Sequence, residues 1–213
     1  ILVPLDSEHF SMLNSNTSDK LIEKVYLTAS GGPFYFKKRT NLNNVSLKQV
    51  LKHPKWDMGK NNSIDSSNFV NKILEIFELS TIFNIDIDKI DFLVTKEAYV
   101  HSMILYKNST VLINSFENNM LIPLVSPLIE FFNSKKIRVN KKKNFEIKNF
   151  QLELMNDKRF KILKYIKRIK KFNHLERIHF LLLNNKAQDY YLNGKIKYNS
   201  ILDFIFKRIT KKN

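Results

Sequence analysis

The chain has no cysteine, so disulfides and thiolate metal sites are excluded at the outset. Glycine is scarce. Gly31, Gly32, Gly59 and Gly194 are all there are, and no G-x-G-x-x-G dinucleotide fingerprint can be written from them. No uninterrupted apolar run approaches the roughly 18 residues a bilayer-crossing helix needs, and no secretory leader is visible. Arginine is short as well, at 6 residues against 30 lysines. The net charge of +16 invites a nucleic-acid reading. Specific readers of nucleic acid rely on arginine forks and aromatic platforms, however, and neither clusters here. The densest basic stretches, 135–148 and 158–171, lie outside the segments that suggest chemistry. The excess of Lys, Asn, Ile, Phe and Tyr has the character of an AT-biased coding sequence, and the lysines read as a solvated surface. No nucleic-acid partner and no membrane partner are expected. The first residue is Ile1, already inside an apolar run, as expected of a chain cut from something longer.

What the chain has is 43% hydrophobic residues over 213 positions, enough for one large core or two small ones. KVYLTAS (24–30) reads as a strand running into a Gly31-Gly32-Pro33 turn. A short helix is expected from Ser46, its cap, to a stop at Pro54, then a mobile loop over 55–62. A long helix is expected from Ser63 or Asp65 to about Phe83, with Phe69, Val70, Ile73, Leu74, Ile76 and Phe77 on its buried face. Residues 92–94, 100–106 and 110–115 read as strands, the last two joined by a Lys107-Asn108-Ser109 turn, and 121–132 as a helix. The basic, aperiodic 134–149 segment reads as a linker, followed by helices over 157–171, 174–185 and 200–209. The expected architecture is an α/β (α+β) catalytic domain over 1–133, with a small mixed sheet and flanking helices. A small all-helical domain follows over 150–213.

The chemistry concentrates between His53 and Glu75 (HPKWDMGKNNSIDSSNFVNKILE). On one helix, Asn71, Lys72 and Glu75 share a face. Ser66 would fall in the first turn, where free N–H groups favour an anion; an ordinary amphipathic helix is the alternative. Asp6-Ser7-Glu8-His9 follows an apolar run. In a strand, Asp6 and Glu8 would point to one side as two oxygen ligands; a helix cap at Asp6 or Ser7 is the alternative. Ser30-Gly31-Gly32 would let backbone and hydroxyl approach a phosphate, or would be a plain turn. Taken singly, His53 and His101 read as structural histidines. Trp56 and Met58, apolar residues in an aperiodic loop, suggest a lid over a substrate.

DSEH, ASGGPF, HPKWDMG and SIDSSNFVNKILE occur in the order and approximate spacing of one family. Across residues 1–130 the chain resembles 1-deoxy-D-xylulose 5-phosphate reductoisomerase, an enzyme of the non-mevalonate isoprenoid pathway. The resemblance implies that Asp6, Glu8 and Glu75 hold a divalent metal (Mg²⁺, Mn²⁺ or Co²⁺). It gives Ser7, Asn71 and Lys72 to the substrate's oxygen-bearing backbone, and Ser30, His53, Ser66, Asn71 and Lys72 to its phosphate. It sets Glu8 and Lys72 at the reacting atoms, Trp56 and Met58 in the closing loop, and Gly59 and Met120 near the nicotinamide of NADPH. It further implies a phosphorylated sugar substrate, a homodimer and a cytoplasmic bacterial setting, with a plastid-type organelle as the other source.

Three features depart from the family. The NADPH-binding Rossmann domain is absent from this chain. The family's HPQSVIHSM is here TKEAYVHSM (95–103), with Thr95 in place of a histidine. Its NAANE signature is here LLLNN (181–185). The alternative function is a non-catalytic relative serving as a basic binding or structural module.

Overall fold

The computed structural model describes residues 3–15, 17–53, 58–131 and 149–209. Its centre is β1 (Ile22–Ala29), a β-branched and aromatic run that buries Ile22, Val25 and Leu27 completely. β2 (Ile90–Val94) pairs with it in parallel, from Val25 opposite Ile90 to Ala29 opposite Val94. On the other side β3 (Val100–Tyr106) runs antiparallel to β1, and β4 (Val111–Ser115) antiparallel to β3. The β3–β4 turn places Ser109 at φ 65°. A two-residue strand, β5 (Glu153–Leu154), closes the far edge against β2, giving the order β4-β3-β1-β2-β5. This is the small mixed sheet expected.

The chain forms two compact units, and each is discontinuous in sequence. The first joins Ile1–Ala29 to Leu79–Leu154 and contains the whole sheet, the short helix α1 (Ser7–Ser11) and α5 (Leu121–Phe131). The second joins Ser30–Glu78 to Met155–Asn213 and is helical. It holds α2 (Leu47–Val50), α3 (Lys60–Asn68), most of α4 (Val70–Ile82), α6 (Ile162–Ile169), α7 (His174–Leu192) and α8 (Ile201–Ile209). These interleaved units cut the chain differently from a consecutive 1–133 and 150–213 division. Nearly all of the 134–149 linker lies outside the described residues.

Local chemistry explains the helices. Ser46 and Gln49 form a reciprocal capping box at α2, and Asn173 and Glu176 form another at α7. α7 extends to Leu192, well past residue 185, while α6 is shorter than 157–171 because residues 157–161 are spent on turns. The long helix expected from 63 to 83 is two helices. Phe69, at φ 65°, separates them, and the Asn68 side chain accepts the Val70 N–H at 2.9 Å, a bond that competes with helix continuation. α3 also begins at Lys60, inside the stretch expected to be loop. Aromatic rings fill the second unit: Phe172, Phe180 and Phe206 cluster with centroids 6.1–6.4 Å apart.

Candidate active site

In the first unit Asp6, Ser7 and Glu8 form a helical turn, not a strand end. Asp6 is the N-cap of α1 and accepts the Glu8 N–H at 3.1 Å, while the Ser7 hydroxyl donates to the Glu8 carboxylate. The cap prevails because, among the described residues, no strand pairs with this segment, whereas a helix start needs a side-chain acceptor. The turn is fixed from below by Ser11, whose hydroxyl meets that of Ser102 on β3 at 2.6 Å. Two half-buried carboxylates, Asp6 and Glu8, thus lie two residues apart on one turn.

The second unit gathers the remaining polar residues. Ser30 follows directly on β1, and its Oγ lies 3.1 Å from His53 Nε2. Burial, with the Lys72 ammonium as a second cause, pushes the His53 imidazole down to about 4, so it is neutral near pH 7. Lys72 Nζ lies 2.7 Å from Glu75 Oε2, one helical turn further along α4, and the Asn71 amide donates to Glu75 Oε1. Asn71, Lys72 and Glu75 therefore share a face, as their spacing predicts. Ser66 does not stand in a first turn: it lies in the last turn of α3, and Asn71 and Lys72 occupy the first turn of α4. Gly32 brings the 30–32 loop against the Ser66 backbone. At φ 56°, a Cβ on it would lie 2.8 Å from the Ser66 carbonyl oxygen, so only glycine lets the 30–32 loop close on the end of α3.

The other expected residues are more dispersed. Met58, half-buried, precedes the exposed Gly59, which is the N-cap of α3. Trp56 lies outside the described residues. Met120, half-buried, stands just before α5. His101 is structural: its ring stacks on Phe116 at 3.7 Å and its Nε2 lies 3.3 Å from the Phe116 carbonyl oxygen. Thr95, in place of the family's histidine, donates its hydroxyl to Glu97 at 2.9 Å.

Sequence reasoning overlooked Asp65. It is 6% exposed, and both its oxygens accept from the Asn184 amide, at 3.1 and 3.0 Å. Burial raises its carboxyl to about 6 against the pull of Asn184 and Gln188. The available signal was a carboxylate next to Ile64 in a stretch read as helical, with an asparagine retained in LLLNN.

The sequence and the fold both resemble those of one group of enzymes. A model of the 1-deoxy-D-xylulose 5-phosphate reductoisomerase C-terminal domain matches residues 2–83, which include every residue of the two clusters just described. The 1-deoxy-D-xylulose 5-phosphate reductoisomerase of Pelagibacter ubique is 35% identical over 210 residues, covering 96% of this chain and 53% of that protein. The chain is similar to the C-terminal part of 1-deoxy-D-xylulose 5-phosphate reductoisomerases. The reductoisomerase of Clostridium novyi is 37% identical over 99% of this chain and 55% of its own length. A crystal structure of DOX-P reductoisomerase in complex with NADPH, fosmidomycin and magnesium superposes with TM-score 0.83 and 25% identity, covering 99% of this chain and 54% of that one. The Zymomonas mobilis enzyme in complex with NADPH shares the fold at TM-score 0.77 and 23% identity, again over 99% and 54%. The chain spans about half the length of the reductoisomerase relatives it matches.

Proposed function

We propose that this chain carries the metal- and phosphate-binding part of an enzyme that converts 1-deoxy-D-xylulose 5-phosphate to 2-C-methyl-D-erythritol 4-phosphate with NADPH. The observation that carries the reading is the second unit's cluster: Ser30 against neutral His53, with the buried Lys72 paired to Glu75. A buried ammonium beside hydroxyl and amide donors suits a dianionic phosphate, and Lys72 acts there as a point charge. Ser30, His53, Ser66, Asn71 and Lys72 hold the phosphate in this reading, and Ser7, Asn71 and Lys72 orient the carbon chain. Binding energy gained at that remote phosphate can be spent on orientation at the reacting carbons.

Asp6, Glu8 and Glu75 are the proposed metal ligands. Their chemistry fits: carboxylate oxygens are the donors that hard divalent ions such as Mg²⁺ and Mn²⁺ select. A bound ion of this kind acts as a Lewis acid on carbonyl and hydroxyl oxygens. Lys72 partly offsets the charge that Glu75 would bring alone, and Asn71 orients its second oxygen. Met58 belongs to the closing loop with Trp56, and Gly59 and Met120 to the NADPH side, most NADPH contacts lying outside this chain. Among the described residues no helix is long and apolar enough to cross a membrane. The reading carries with it a cytoplasmic bacterial setting and a homodimeric complete enzyme.

Calorimetric titration with fosmidomycin, with and without Mn²⁺, tests the proposal. Metal-dependent binding that disappears in Glu75→Gln and weakens in Lys72→Gln is the expected result. If the folded chain, supplied with the rest of the enzyme, binds the phosphonate no better with Mn²⁺ than without it, the metal assignment fails.

A further inference from the structure

Arg159 and Phe160, adjacent in the C-terminal part of the second unit, reach both halves of the proposed phosphate site. The Arg159 guanidinium donates to four backbone carbonyls: Phe34 at 3.2 Å, Tyr35 at 3.1 Å, Lys37 at 3.0 Å and Thr40 at 3.2 Å. Asp157 holds the fork from behind, accepting from Nε at 3.1 Å and from Nη2 at 2.8 Å. Residues 34–40 form no helix or strand, only successive turns. The path of the chain leaving Ser30-Gly31-Gly32 thus depends on one planar five-donor group. Phe160 is 2% exposed. It meets Phe69 edge-on at 4.8 Å and stacks against Tyr35 at 6.2 Å. Phe69 is the left-handed residue between Ser66 at the end of α3 and Asn71–Lys72 at the start of α4.

We propose that Arg159 and Phe160 are positioning residues for phosphate recognition. Arg159 fixes the loop that presents Ser30, and Phe160 locks the helix break that sets Ser66 against Asn71 and Lys72. This rests on the phosphate-site reading, and it adds that the C-terminal helical segment is required for the affinity of that site. A lysine at 159 cannot substitute, because a single ammonium has no fork to span four carbonyls.

The test is equilibrium binding of inorganic phosphate, followed by calorimetry, to the protein and to Arg159→Lys, Arg159→Met, Phe160→Leu, Lys72→Gln and Phe180→Leu. Phe180 is a fully buried α7 side chain and serves as a core control matched for loss of thermal stability. Folding of each variant is checked by circular dichroism. Phosphate affinity at least ten-fold weaker in both Arg159 variants and in Phe160→Leu, with Phe180→Leu binding like the parent, is the expected result. Parental affinity in the Arg159 and Phe160 variants overturns the positioning role, as does an equal loss in Phe180→Leu. Should Arg159→Met not fold, Arg159→Lys and Phe160→Leu decide the matter. If the parent binds no phosphate, or Lys72→Gln binds as well as the parent, the phosphate-site reading itself falls and takes the positioning role with it.

Discussion

Lys72 Nζ sits 2.7 Å from Glu75 Oε2 on one face of α4, with the two side chains 7% and 4% exposed. Removing one partner of such a pair typically costs about 3–5 kcal/mol, because the other charge is left buried alone. Glu75→Gln is milder, since the amide oxygen still accepts from Lys72 or Asn71. We expect Glu75→Gln to unfold cooperatively in urea with a loss smaller than that of Lys72→Met or Glu75→Ala. Its Mn²⁺ affinity should drop at least ten-fold. Unchanged Mn²⁺ affinity in this variant would remove Glu75 from the ligand set.

Gly32 and Gly194 make a controlled pair. Both have positive φ, 56° and 70°, but a Cβ at Gly194 meets nothing within 4 Å, whereas at Gly32 it meets the Ser66 carbonyl oxygen at 2.8 Å. Gly194→Ala should cost only the left-handed penalty, about 1–2 kcal/mol. Gly32→Ala should add a packing clash of about 1–3 kcal/mol and should loosen the loop that follows Ser30. Urea midpoints of the two variants compare the costs directly. Equal losses would mean that the 30–32 loop does not press on the end of α3.

The strands around β1 were legible because alternation and β-branching are local signals, and the same holds for the Ser46 cap. The break at Phe69 was not. SIDSSNFVNKILE contains neither glycine nor proline, and the left-handed residue persists because Asn68 caps Val70 while Tyr35 and Phe160 receive the Phe69 ring. Those partners are remote in sequence. That hidden break, together with the early start of α3 at Lys60, moved Ser66 from a first turn to a last one. Asp6 and Glu8 could be a strand edge or a cap from sequence alone, and only the fold decided. β5, with two residues, carries no periodicity to detect.

The acid response of the second unit combines two opposed groups. His53 is held at about 4 against its ordinary 6.5. Between those values the unfolded chain takes up a proton that the folded chain refuses, so this group removes stability as pH falls. Asp65 is raised to about 6 from 3.8. Its contribution is complete below 3.8 and lost as pH rises through 6, so it adds stability on acidification. Asp65→Asn removes the second effect, and the new amide can donate to Asn184 Oδ1, which has no hydrogen-bond partner among the described residues. Urea stability of this variant should fall more steeply from pH 6.5 to 4.5 than that of the parent, and that of His53→Asn less steeply. Identical slopes in all three proteins would refute both assignments.

Asp6 has a structural duty and a proposed chemical one, and the two can be separated. Its Oδ1 accepts the Glu8 N–H at 3.1 Å as the cap of the five-residue helix α1. Asparagine caps about as well as aspartate, whereas alanine at a cap costs about 0.5–2 kcal/mol. A neutral amide oxygen is a weaker ligand for a hard divalent ion than a carboxylate. Asp6→Asn is therefore expected to keep the parent's thermal stability without metal and to lose at least ten-fold in Mn²⁺ affinity. Asp6→Ala should lose both. Scanning calorimetry of the metal-free proteins, with a Mn²⁺ titration of each, measures the two effects independently. If Asp6→Asn bound Mn²⁺ as tightly as the parent, Asp6 would be a cap and nothing more, and the ion would have to be held by Glu8 and Glu75 without it.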